Sequence, residues 1–69
     1  MDFMDALQNM INGQRMMRIK WVGYWVCILP TQAYIWTIPV GGKNPAVNAS
    51  IYIPTIEDLS ATDWIIKTN

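Results

Sequence analysis

The sequence predicts an α+β fold, in which an N-terminal helix packs on a small antiparallel β-sheet and the subunits assemble as a homo-oligomer. Three observations lead to this prediction. Apolar residues recur at helical spacing near the N-terminus, at Phe3, Leu7 and Met10. Short runs of β-branched and aromatic residues follow, separated by glycines and prolines. Of the 69 residues, 52% are hydrophobic and 14% are charged, and one small core cannot bury so much apolar surface without oligomerisation.

The helix is predicted within the segment DFMDALQNMINGQ, where Asp2 and Asp5 place oxygens near its positive N-terminal end. Gly13 offers a C-terminal stop. The next segment, RMMRIKW, alternates as a strand does. One face of this strand is predicted to carry Met17, Ile19 and Trp21. The opposite face, wet or in contact with a ligand, is predicted to carry Met16, Arg18 and Lys20.

The segment YWVCIL is apolar on both faces, which predicts a central strand covered by the helix on one side and by another element or subunit on the other. A short turn after Pro30 then predicts a hairpin to AYIWTI, with Tyr34, Trp36 and Ile38 on one face.

The last part of the chain is predicted to begin with a loop, PVGGKNP, and a strand, AVNASIYI. In TIEDLSATDW, Thr55 and Asp58 have the spacing of a capping box, which predicts a single helical turn. The segment WIIK supplies a final strand. No internal repeat divides the chain, so residues 1–69 are predicted to form one domain.

Composition excludes several classes of site. The chain has no histidine and one cysteine, Cys27, which removes the usual zinc ligands and any Cys–His nucleophile. No metal or cofactor is therefore expected. The formal net charge is zero, so an overall field that would hold duplex nucleic acid is missing, although Arg15, Arg18 and Lys20 lie close together in sequence.

Catalysis and membrane insertion are also disfavoured. Asp58 and Asp63 could form a carboxylate pair, but each is explained as a helix-end or turn residue, and the chain is not predicted to be an enzyme. Pro30 and Pro39 interrupt the uncharged stretch from Trp21 to Gly42, which suits two strands better than one spanning helix. The acidic, amphipathic N-terminus is unlike a signal peptide. A cytosolic location is therefore expected.

Both ends of the chain resemble the signatures of a family of small phage proteins. At the front, in FMDALQNMINGQRMMRIKWVG, the matching positions are Phe3, Ala6, Leu7, Gly13, Arg18, Trp21 and Gly23. At the back, in PTIEDLSATDWII, they are Pro54, Thr55, Asp58, Leu59, Ala61, Asp63 and Trp64. That family includes the second Thoeris anti-defence protein and its anti-CBASS relatives, which are viral sponges of the cyclic nucleotide messengers that infected bacteria make. The resemblance implies a homotetramer in the host cytoplasm, with nucleotide sites at subunit interfaces and no turnover.

A cyclic nucleotide presents base faces and phosphates, which call for aromatic platforms and for cationic or amide donors. The ligand-binding residues predicted in this way are Arg18, Lys20, Trp21, Tyr24, Trp36, Lys43, Asn44 and Asn48. Trp64 is expected in the core or at an interface, and Trp25 in the core. Arg18 and Lys20 have an alternative interpretation as the solvated face of an edge strand. The ligand is expected to be a cyclic dinucleotide or a cyclic ADP-ribose isomer.

Two other functions fit the same residues. The aromatic strand could contact a protein partner in a phage oligomeric structural module that holds no nucleotide. The tryptophans could instead stack the bases of a single-stranded nucleic acid, which predicts strong salt dependence and a longer basic groove.

Overall fold

The computed structural model describes residues 1–29, 31, 33–39 and 49–68. Within these residues lie two helices, α1 (Phe3–Ile11) and α2 (Ile56–Ser60). The same residues form five strands, β1 (Met16–Arg18), β2 (Tyr24–Ile28), β3 (Ile35–Pro39), β4 (Ser50–Ile51) and β5 (Trp64–Ile66). The strands form one antiparallel sheet in the order β4-β3-β2-β1-β5. The predicted α+β class and N-terminal helix are confirmed.

Helix α1 begins and ends where local signals predict. The Asp2 carboxylate accepts a hydrogen bond from the Asp5 amide at 2.9 Å, which satisfies one of the free donors of the first turn. Gly13 adopts a φ of +91°, a backbone angle that glycine reaches without steric cost, and the chain leaves the helix there. Ala6 and Met10 are buried in the core.

Strand β2 lies at the centre of the sheet, as predicted, and forms the expected hairpin with β3. Tyr24 pairs with Pro39 and Ile28 with Ile35 at the two ends of the ladder. Strand β1 lies between β2 and β5. The alternative interpretation of Arg18 and Lys20 as the solvated face of an edge strand is therefore wrong, because β1 has neighbours on both sides and Lys20 lies in the turn that follows it.

The predicted faces of the first strand are wrong. Met16 is fully buried and Arg18 is 6% exposed, whereas Ile19 is 67% exposed. The strand ends at Arg18, and the chain turns so that the Trp21 amide donates to the Arg18 carbonyl at 3.0 Å. This turn breaks the two-residue alternation, which returns Trp21 to the core on the same side as Met16.

Trp64 is at the centre of the core. Its side chain is fully buried, and its indole Nε1–H donates to the Asp58 carbonyl at 3.1 Å. Its ring meets those of Phe3 and Trp21 edge to face, with centroids 5.5 and 5.2 Å apart. The prediction for Trp64 is confirmed.

Trp25 does not belong to this core. It is half-buried on β2, and the Arg15 guanidinium lies 5.3 Å from its ring centroid in a cation–π contact. The prediction of a core position for Trp25 is wrong, since its neighbour Val26 takes the inward position of the strand.

Thr55 caps α2 as predicted. Its Oγ1 accepts a hydrogen bond from the Asp58 amide at 3.1 Å. The reciprocal half of a capping box does not form, because the Asp58 carboxylate turns inward to Arg18 and Tyr52. Helix α2 contacts α1, so both helices lie on the side of the sheet that carries Met16.

The other side of the sheet, called the open face below, is covered by neither described helix. Strand alternation and the ladder pairs assign it the residues Met17, Trp25, Cys27, Trp36, Ile38, Ile51 and Ile65. Cys27 and Ile38 are buried, and Ile51 and Ile65 are exposed.

Apart from Pro39, the predicted loop PVGGKNP lies outside the described residues, as do the first three residues of the predicted strand AVNASIYI. Of the remaining residues 49–53, only Ser50–Ile51 form a strand, β4, so the strand is shorter than predicted. Among the helices that the structure describes, none has the length and apolar character needed to cross a membrane.

Candidate functional site

A cavity of about 490 Å³ opens where the turn after β1 faces the segment that leads into α2. Its charged lining residues are Arg18, Lys20, Glu57 and Asp58, and its aromatic ones are Trp21, Tyr24 and Tyr52. This volume is within the range of small-molecule sites, which are about 300–1,000 Å³.

The aromatic wall of the cavity is built by the turn between β1 and β2. Gly23 has a φ of +88°, and this left-handed angle lets the chain reverse between Trp21 and Tyr24. Their rings lie 4.7 Å apart with a tilt of 32°. Trp21 is only 9% exposed and also packs on Tyr52, whereas Tyr24 is 36% exposed. Trp21 thus supports the wall, and Tyr24 presents more of its surface to a ligand.

The Arg18 guanidinium closes the floor of the cavity. Its Nε donates to Asp63 Oδ1 at 2.8 Å, and its Nη1 donates to Asp58 Oδ1 at 3.0 Å. The hydrogen bond to Asp63 is the main cause that raises the pKa of Arg18 above its usual range, against the opposing effect of burial. Arg18 is therefore permanently charged and held by two carboxylates.

The acids of this cluster respond in the opposite direction. Burial opposes the charged form of Asp58. The Tyr52 hydroxyl donates a hydrogen bond to its carboxylate at 2.6 Å and Arg18 donates another, and together these bonds outweigh burial and lower the pKa of Asp58. The hydrogen bond from Arg18 lowers the pKa of Asp63. Burial and the bond to Asp58 raise the pKa of the Tyr52 phenol. Asp58 and Asp63 are carboxylates at neutral pH, and Tyr52 is a neutral donor.

Lys20 and Glu57 form a separate pair at the mouth of the cavity. Lys20 Nζ donates to Glu57 Oε1, and both side chains are more than half exposed. The same Glu57 oxygen lies 3.4 Å from Arg18 Nη1. The hydrogen bond from Lys20 is the first cause that lowers the pKa of Glu57. Glu57 is therefore an exposed partner that Lys20 and Arg18 share, and it is the carboxylate that holds Lys20.

A comparison of the sequence with known protein families identifies the family of this chain. The model of the Tad2-like family, described as the Thoeris anti-defense 2-like domain, matches residues 1–67. The chain belongs to the Tad2-like family. The resemblance seen at the two ends of the sequence is confirmed, and membership supports a phage anti-Thoeris role. No curated protein and no solved structure matches the chain.

The cavity of this Tad2-like chain brings together half of the site residues predicted from sequence, namely Arg18, Lys20, Trp21 and Tyr24. Trp36 lies on β3 in the open face and does not line the cavity. Lys43, Asn44 and Asn48 lie outside the described residues.

Sequence reasoning missed Tyr52, Glu57 and Asp58 as lining residues of the Tad2-like cavity. One signal was present in the composition. The chain has five acidic residues, and Asp2 and Asp5 belong to the start of α1. The remaining three, Glu57, Asp58 and Asp63, lie in one short C-terminal segment. A buried cation needs paired carboxylates, and this segment is where the chain could supply them.

A second cavity of about 430 Å³ lies on the other side of the same turn. Trp21 and Tyr24 line both cavities, and Met17, Ile65 and Lys67 line the second alone. The Trp21–Tyr24 pair therefore forms a shared wall, and a change to either ring would alter both spaces.

Proposed function

We propose that the chain is a phage anti-defence sponge that binds and sequesters a cyclic nucleotide immune signal without cleaving it. The signal is a cyclic dinucleotide such as cGAMP or a cyclic ADP-ribose isomer, and its capture blocks activation of a Thoeris or CBASS effector. The protein acts in the cytoplasm of the infected host.

The observation that carries this proposal is the joining of an aromatic wall and an accessible cation in one cavity. Tyr24, backed by Trp21, offers a stacking surface, and Lys20 offers a charged donor beside it. Base stacking on an aromatic side chain contributes about 1–3 kcal/mol. Charge-assisted hydrogen bonds to phosphate are stronger than neutral ones.

Sequestration without turnover agrees with the state of the carboxylates. Asp58 and Asp63 both accept hydrogen bonds from Arg18, and their pKa values are lowered. A general acid or base works best with a pKa near the operating pH. These two acids instead pair with Arg18, which supports binding without turnover.

The proposal includes assembly as a homotetramer. A sponge with nanomolar affinity needs about 12 kcal/mol of binding free energy, and the cavity of one subunit has few donors to supply it. The open face is the surface that an oligomer would bury. On it, Ile51 and Ile65 remain exposed in the single subunit.

The test is isothermal titration of the purified protein with a panel of cyclic dinucleotides and cyclic ADP-ribose isomers. Bound ligand is then released by heating and identified by chromatography. Tight binding with the signal recovered unchanged is the expected result. Recovery of a converted product would make the protein an enzyme and contradict the proposal.

A second candidate function is a phage oligomeric module that binds a protein or has a structural role and holds no nucleotide. The apolar open face favours it, since exposed apolar patches mark protein contacts. Failure of every nucleotide in the panel to bind would favour this alternative over the sponge.

A further inference from the structure

We propose that Glu57 sets the affinity of the cavity for anions: it pairs with Lys20 while the site is empty and yields Lys20 to an anionic group of the ligand. This inference rests on the proposed function and adds the exchange by which an anionic ligand gains its cation. A ligand gains Lys20 as a partner only when its negative charge replaces that of Glu57.

The two cations of the cavity differ in how firmly they are held. The Arg18 side chain is 8% exposed and is bound by Asp58 and Asp63 at 3.0 and 2.8 Å. An incoming phosphate cannot take this guanidinium without leaving the buried Asp58 and the half-buried Asp63 carboxylates unpaired, which is costly. Arg18 is therefore unavailable for exchange.

Lys20 is held in a different way. Its side chain is 53% exposed and that of Glu57 is 65% exposed. Exposed ion pairs contribute little to stability because water screens them, so a phosphate can replace Glu57 at small cost. Thr55 caps α2 and fixes the backbone that carries Glu57, which keeps the carboxylate at the mouth of the cavity.

This exchange affects charged and uncharged ligands differently. A neutral nucleoside can stack on Tyr24 but cannot compete with Glu57 for Lys20. A phosphate or pyrophosphate group displaces the carboxylate and forms its own charge-assisted bond. Glu57 thus lowers the affinity for all anions and leaves the affinity for uncharged ligands unchanged.

The experiment compares the intact protein with Glu57→Gln, which keeps the side-chain shape and removes the charge. Asp5→Asn is the matched control, because Asp5 is exposed on α1 away from the cavity and the change in net charge is the same. Each protein is titrated with inorganic pyrophosphate and with adenosine, and binding is followed by the NMR shift of the Lys20 side-chain nitrogen and by tryptophan fluorescence.

Glu57→Gln is expected to bind pyrophosphate about fivefold more tightly than the unchanged protein, because the substitution removes one negative charge near the ligand in a solvent-exposed site. Asp5→Asn is expected to show no such gain, and adenosine affinity is expected to stay the same in all three proteins. Adding Lys20→Gln to Glu57→Gln should abolish the gain, since the cation that the anion would use is then missing.

The inference is overturned if Glu57→Gln binds pyrophosphate no better than Asp5→Asn, if neither protein binds it, or if the gain survives in the double variant. The nucleotide panel tests the proposed function separately. A pyrophosphate gain together with failure of all cyclic nucleotides would leave Glu57 as a competitor of anions for Lys20 and reject the sponge.

Discussion

At the scale of single residues, Arg18 links the two ends of the chain. It lies on β1 near the N-terminal helix, and its carboxylate partners follow 40 and 45 residues later. Removing Asp58 or Asp63 would leave a buried guanidinium with too few acceptors. The cluster therefore stabilises the surface on which Trp21 and Tyr24 are presented.

The lowered pKa values of Asp58 and Asp63 predict a loss of stability in acid. A carboxylate whose folded pKa is depressed stabilises the fold above its unfolded pKa, which is about 4 for Asp, and loses that contribution as the pH falls through the folded value. The melting temperature should therefore be flat near neutral pH and fall below about pH 4. Thermal melts followed by circular dichroism from pH 7 to 2 measure this.

Asp63→Asn provides the check on that interpretation. It removes the carboxylate whose pKa the hydrogen bond from Arg18 lowers. The melting temperature of the variant should therefore be several degrees lower at pH 7 and should fall less on acidification. Asp5→Asn serves as the control because its carboxylate is exposed. Equal acid sensitivity of Asp63→Asn and the unchanged protein would contradict the assignment of the effect to the Arg18 cluster.

The aromatic wall gives a second prediction at this scale. Tyr24→Ala should weaken binding of the cyclic nucleotide by about 1–3 kcal/mol, the value of one stacked base, as measured by isothermal titration. Tyr34→Ala is the matched control, because Tyr34 is exposed and does not line the cavity. If both variants bind equally, the wall at Tyr24 is not the stacking surface.

At the scale of elements, the short helix α2 positions Glu57 and Asp58. A helix of five residues forms few internal hydrogen bonds and depends on its cap and its contacts. Thr55 provides the cap, and the Asp58 bonds to Arg18 and Tyr52 provide the contacts. The position of Glu57 at the mouth of the cavity therefore depends on the contacts that α2 makes with the rest of the fold.

Thr55→Ala is expected to lower the free energy of unfolding by about 1 kcal/mol, the usual cost of a lost N-cap. Thr55→Ser should restore most of it because serine caps equally well. Thr62→Ala is a control at an exposed position outside α2. Urea unfolding curves measure all three, and an unchanged midpoint for Thr55→Ala would show that the cap contributes nothing.

At the scale of the whole molecule, the sheet separates two apolar surfaces with different coverage. The helices cover the side with Met16, Val26 and Trp64. The open face carries half-buried tryptophans and the exposed Ile51 and Ile65. A second copy that packs there would complete the burial that a single small core cannot reach.

Ile51→Lys tests this assembly. A lysine in the middle of an apolar interface would be buried unpaired or would force the subunits apart, so the variant should run as a smaller species than the tetramer in sedimentation velocity. Met4→Lys is the control, since Met4 is exposed on α1 on the other side of the sheet. A tetramer that survives Ile51→Lys would exclude the open face near β4 from the interface.

The elements that could be predicted from sequence are those specified by local signals. The Asp2 cap, the stop at Gly13 and the Thr55 cap act within a few residues of the helices that they limit. The central strand and its hairpin follow from apolar runs broken by turn residues. The faces of β1 could not be predicted, because the strand is three residues long and the alternation ends at the turn after Arg18.

By itself, the sequence determined the α+β class, the helix ends, the central hairpin and the membership that its two end signatures indicated. The tertiary structure alone decided that Arg18 is buried, that Trp21 supports the cavity wall and that Glu57 pairs with Lys20. The physical reason is distance along the chain. A cap or a turn is satisfied by its neighbours in sequence, whereas a buried charge becomes stable only when folding brings its distant partners within hydrogen-bond reach.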